Sequence, residues 1–199
     1  MAQTAATVAD RGTTGAWIFR VLIIAGAAFM LYSWFAPWWS AKVSGIPGDN
    51  HLVLHPWGVD AVAQVRANAD ESLYSMPWFF TPFMWAYLAV CMLGLAASMF
   101  IDRRISLGRI NLPLAAVIIG FVGFSYMAAA GIAYGIGELK ASWAGSNFVG
   151  KSTIKNAMTG TKIKMESELL IGYWFAVASG GVLFLLALIR FVFVRTPKV

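Results

Sequence analysis

The chain has 199 residues, of which 59% are hydrophobic and only 12% charged, with a formal net charge of +6. Soluble domains carry about 25% charged residues, so an ordinary water-soluble globule is excluded and the fold must be built mostly in lipid. The basic surplus does not mark a nucleic-acid binder, because the 15 Lys and Arg residues are scattered between apolar runs, as juxtamembrane charge is.

About 20 consecutive apolar residues are needed to cross the hydrocarbon of a bilayer. The first such run extends from Trp17 to Trp38. Signal-peptide cleavage needs small residues at −3 and −1. Cleavage after Ala36 or Ala41 would place Trp34 or Trp39 at −3, so the run is expected to be retained.

The loop over 39–77 is organised. Ala41–Gly45 reads as a short strand, Pro47-Gly48-Asp49-Asn50 as a turn, and His51–His55, interrupted by Pro56, as a short edge strand. Val59, Val62, Val65, Ala69 and Leu73 then recur at three- and four-residue intervals, which predicts an amphipathic helix.

This loop also holds the only two histidines. His51, His55, Asp49 and Asp60 form a candidate copper or zinc site, two imidazoles with a carboxylate being a suitable donor set. The competing and bland reading is that both imidazoles bond backbone or water. No other cofactor is expected.

The second run is Trp78–Phe100 and the third Leu112–Ile136, with Pro82 and Pro113 in first turns, where proline is tolerated. Cys91 is the single cysteine; it lies inside an apolar run and reads as an inert filler. The third run carries Gly120 and Gly123, then Gly131 and Gly135 in a GxxxG spacing. Helices in lipid associate through close backbone approach, so these glycines predict packing within the chain.

The loop over 137–168 contains Gly145-Ser146-Asn147-Phe148-Val149-Gly150-Lys151-Ser152, which matches the phosphate-binding pattern G-x-x-x-x-G-K-[ST]. That pattern works only where a buried strand leads into a helix N-terminus. A short loop between two spans lacks this context, so neither nucleotide nor nucleic acid is an expected partner. Thr153–Met158 and Thr161–Met165 flank Thr159-Gly160 and predict a hairpin. The fourth run is Leu169–Ile189, with Gly172, Ala176 and Gly180 at four-residue intervals as a further packing stripe.

Together these elements predict an all-α membrane protein, one domain over residues 1–199. It is a left-handed four-transmembrane-helix bundle under a small extracytoplasmic cap made of the amphipathic helix and short strands from both loops. Four spans put both termini on one side. Eight basic residues hug the spans there, whereas seven are spread over the two long loops and diluted by acids. The positive-inside rule then places both termini in the cytoplasm, and the composition suits a bacterial inner membrane. The layout resembles that of claudin-type membrane proteins, through Ala36-Pro37-Trp38-Trp39-Ser40-Ala41-Lys42-Val43 at the exit of the first span and the long first loop with its short helix. That resemblance is architectural and does not extend to paired first-loop cysteines, which this chain lacks.

Away from their end turns the spans carry no Asp, Glu, Lys, Arg or His. Proton relays and ion pathways need such groups, and haem held between spans needs an axial ligand such as histidine. Eight of the nine tryptophans fall on the loop side, with Trp38, Trp39, Trp57, Trp78 and Trp143 as a candidate outer interface. The leading expectation is a non-catalytic subunit or scaffold whose partners are the lipid bilayer and other membrane protein subunits. The alternatives are a small channel or carrier for a neutral or apolar solute, and a metal-dependent membrane enzyme component using His51 and His55.

Overall fold

A backbone in lipid must satisfy its hydrogen bonds internally, and the long apolar runs do so as helices. The computed structural model describes residues 2–68, 75–101, 103–107, 110–143, 145–155 and 162–193. Among them four helices are long and apolar enough to cross a membrane. They are Trp17–Phe35 within α1 (Ala2–Phe35), α3 (Phe80–Ser98), α4 (Leu114–Trp143) and Ile171–Phe191 within α5 (Ile171–Phe193). This is the architecture of a multi-pass membrane protein.

The bundle is organised around α4 and α5, which pair most extensively; α1 packs on α5 and α3 on α4. The α4–α5 crossing is close because it is made of small residues. A Cβ on Gly180 would lie 2.8 Å from the Gly123 carbonyl oxygen, and one on Gly123 would lie 2.6 Å from the Gly180 oxygen. Ala176 is fully buried on the same face. Inside the bundle, the Ser33 and Tyr126 hydroxyls are hydrogen-bonded at 2.6 Å, which joins α1 to α4 through buried polar groups.

The long loops build a five-stranded antiparallel sheet, so the fold is mixed and not all-α. Its order is β3 (Gly58–Ala61), β2 (Leu52–His55), β1 (Trp39–Val43), β7 (Lys162–Leu169), β6 (Gly150–Lys155). Alternation explains it: along β7, Met165 and Ser167 are buried while Lys164, Glu166 and Glu168 are exposed. The inner face presents Trp39, Ala41, Leu52 and Met165 to a core completed by Val65 and Phe148. On the opposite side of the membrane, β4 (Arg104–Leu107) and β5 (Ile110–Pro113) form a two-stranded hairpin between α3 and α4.

Several expected boundaries move. The first span ends at Phe35, because Pro37 interrupts the helix and Trp38 turns into the sheet, its N–H donating to the Leu54 carbonyl at 2.8 Å. The fourth begins at Ile171, since Leu169 completes β7. Pro113 ends β5 instead of opening a helix. The amphipathic helix expected from Val59 begins later: Val59 and Asp60 belong to β3, and in α2 (Ala63–Asn68) Val65 is a buried anchor, while Ala69 and Leu73 lie outside the described residues. The turn at Pro56-Trp57 folds β3 back on β2, which captures those residues as strand. In consequence β2 is an interior strand and not an edge. The tip of the β6–β7 hairpin, including Thr159 and Gly160, lies outside the described residues.

Candidate functional site

The junction between sheet and bundle concentrates the aromatic residues. Trp38 is buried, and its indole N–H donates to the Ser33 carbonyl at 2.8 Å. Trp39 is buried beneath the sheet, donates to the Phe148 carbonyl at 2.7 Å and stacks on the Phe148 ring. The same ring lies over Gly137, where a Cβ would sit 2.5 Å from it. Trp57 leaves the sheet at the β2–β3 turn and packs among Trp34, Phe35 and Trp85 of the spans. Of the five tryptophans expected at an outer interface, Trp38 and Trp39 are therefore internal mortar and Trp57 is half-buried. Trp78 and Trp143 are at the surface, 89% and 77% exposed. At Trp38 and Trp39 the indole has a structural role: a flat ring whose one N–H meets a backbone carbonyl suits a seam between a sheet and helix ends.

The histidines and carboxylates do not come together as one ligand set. His51 is buried, and its Nδ1 accepts the Val43 N–H at 2.8 Å, which places the imidazole proton on Nε2. Asp49 pairs with Lys42, whose ammonium holds the carboxyl below the usual carboxylate range. His55 stacks on Trp57 with ring centroids 4.7 Å apart, and its Nε2 lies 3.7 Å from Asp60. Burial lowers the pKa of His55, opposed by the Asp60 charge. Four residues apart on an extended segment, His51 and His55 are roughly 13 Å distant by strand rise. Among the described residues no group of three or more His, Cys, Asp or Glu is arranged to hold a metal ion. The phosphate-loop match is likewise redirected: Gly150, Lys151 and Ser152 lie in β6, not at the start of a helix.

The packing glycines divide sharply. Gly180 is closed against α4, and Gly172 lies against the Ala36 and Pro37 carbonyls, donating its N–H to Pro37 at 3.1 Å. Gly131 and Gly135 behave differently: among the described residues a Cβ at either would meet nothing within 4 Å. They are exposed on α4 beside Ile132 and Ile136, so they do not serve packing among the described residues. The stripe continues through Leu139 to Trp143, both exposed. Thirty residues of helix measure about 45 Å against a hydrocarbon thickness of about 30 Å. The α4 helix is thus longer than the hydrocarbon is thick, and in its C-terminal part Tyr134 and Ala141 pack against the sheet core.

The chain matches no protein-family model, and no curated protein is similar to it. The open face of α4 went unread in the sequence because GxxxG spacing does not say which way the pair faces. A signal for its direction was present in the adjoining Ile132, Ile136 and Leu139, which continue the apolar stripe past the hydrocarbon.

Proposed function

We propose that the chain is a non-catalytic subunit or scaffold of a larger membrane assembly, and that the open face of α4 receives a helix of a partner subunit. The observation that carries this reading is the pair of unoccupied glycines, Gly131 and Gly135, flanked by Ile132 and Ile136. Glycine lets two backbones approach, and the branched isoleucines, held in essentially one rotamer on a helix, lose little entropy on packing. Leu139 and Trp143 extend the same stripe toward water, where exposed apolar surface has a reason to be covered. Both termini are placed in the cytoplasm and the sheet outside, on the strength of the basic residues that hug the spans, in a membrane of bacterial inner-membrane type.

Extraction in a mild detergent followed by native mass spectrometry tests the proposal. The expected result is a second membrane polypeptide, or a second copy, at fixed stoichiometry. A stable monomer carrying only lipid and detergent contradicts it.

A further inference from the structure

Where β3 meets the first turn of α3, an open cavity of about 260 Å³ is lined by Trp57, Gly58, Val59, Asp60, Met76 and Thr81. Its depth relative to the bilayer follows from its walls. Thr81 is the second residue of a membrane span, and Trp57 packs on the span ends through Trp34 and Trp85. The neighbouring Trp78, Phe79 and Phe83 are exposed, as side chains at the headgroup level and the upper acyl region are.

The polar side chains in the lining are both acceptors. Asp60 offers a carboxylate whose ion contact among the described residues is the His55 ring 3.7 Å away. That imidazole is stacked on Trp57 and disfavoured from charging by burial, so it does not neutralise Asp60. Thr81 donates its hydroxyl proton to the Trp57 carbonyl at 2.8 Å, which leaves its oxygen lone pairs free to accept. Among the described residues no Lys or Arg is in the lining, which carries a carboxylate and so disfavours an anion. A bare divalent cation wants six or more oxygens and would find one carboxylate. A group with several N–H donors, one positive charge and a carbon stem to lie along Trp57 and Met76 fits both requirements.

We infer that this cavity is a binding site for the primary ammonium group of a phospholipid headgroup, as in phosphatidylethanolamine. The ammonium donates to Asp60 and Thr81, the phosphate stays in the water at the mouth, and the acyl chains run down the exposed face of α3. A trimethylated headgroup carries the same charge but no N–H donor. It gains neither hydrogen bond, and that difference sets the selectivity.

The test uses the full chain released from vesicles of phosphatidylethanolamine, phosphatidylcholine and phosphatidylglycerol in equal parts, read by native mass spectrometry. Wild type is expected to retain phosphatidylethanolamine over the other two. Asp60→Asn should lower that retention on the order of tenfold, the value of about 1.4 kcal/mol for one charge-assisted contact, while Glu166→Gln, elsewhere on the sheet, leaves it unchanged. Asp60 is largely exposed, so an unchanged melting temperature in the variant certifies the fold. Free ethanolamine added in excess should displace the lipid. Equal retention of all three lipids, or of phosphatidylethanolamine by wild type and Asp60→Asn, overturns the assignment. Binding of free ethanolamine without retention of its lipid overturns the headgroup as the source.

Discussion

Gly123 and Gly135 stand twelve residues apart on one helix and serve opposite ends. At Gly123 the neighbouring backbone of α5 is so close that a methyl group would collide with it; at Gly135 it would meet none of the described residues within 4 Å. Both are glycines with a second glycine within one helical turn, Gly120 three residues from Gly123 and Gly131 four residues from Gly135, and small residues of this kind favour helix association in lipid. The difference teaches that small-residue spacing marks a surface competent for close approach, while the rest of the fold decides whether that surface is consumed within the chain or left for another. The α4 helix uses its lower half to hold α5; in its upper half one face packs under the sheet through Tyr134, Gly137 and Ala141, and the face bearing Gly131 and Gly135 stays open among the described residues.

Breaking the closed half should have the largest effect. Gly180→Leu forces side-chain atoms into Met127 and the Gly123 carbonyl. The cost is expected to reach or pass the upper end of the ~1–3 kcal/mol typical of overpacking. Loss of monodisperse protein in size-exclusion chromatography, or a steep fall in melting temperature, is the readout. Next is the seam under the sheet. Trp39→Ala removes the ring stacked on Phe148 and a buried donor, with an expected loss of about 3–5 kcal/mol. Hydrogen exchange should rise in β1 and β7 while the α4–α5 crossing stays protected. Equal loosening of both would mean that sheet and bundle unfold as one unit.

Smaller again is Ser33→Ala, which leaves Tyr126 with only its 3.3 Å approach to the Met30 carbonyl. About 1–2 kcal/mol is expected, since a buried hydroxyl loses its better partner. The smallest effect is a pH dependence at the β2–β3 turn. The pKa of His55 is depressed by burial in the folded chain, so the unfolded chain takes up the proton first as pH falls past ~6.5. Its contribution to stability is complete above that pH and is lost as pH falls through the lower, folded value. A modest drop in melting temperature from about pH 7 to about pH 5 should therefore be seen in wild type and be reduced in His55→Gln.

Much of the fold was legible from residue pattern alone. Four runs of apolar residues needed no tertiary information, because the bilayer sets both length and composition. The sheet was legible only in pieces. Short strands such as Leu52–His55 gain their stability from neighbours far along the chain, here β1 and β3, and the Val59 periodicity fitted a helix until the Pro56-Trp57 turn folded it into β3. The site was less legible. The tryptophan skew was visible, yet whether an indole faces a partner or a seam depends on where the sheet sits. Trp38 and Trp39 went inward, Trp78 and Trp143 outward. Of the four metal-ligand candidates, His55 and Asp60 come within 3.7 Å, while the strand rise separates His51 from His55 and an ion pair holds Asp49 to Lys42.

The double substitution Gly131→Leu with Gly135→Leu tests the central claim most directly, by reading two properties of the same protein. Neither position has a neighbour to collide with, and leucine is the better helix former by up to about 1 kcal/mol per site. The melting temperature of the isolated chain should therefore hold or rise, while the partner seen by native mass spectrometry after mild extraction is lost. Retention of the same partner at the same stoichiometry, or a fall in melting temperature like that of Gly180→Leu, would contradict the account.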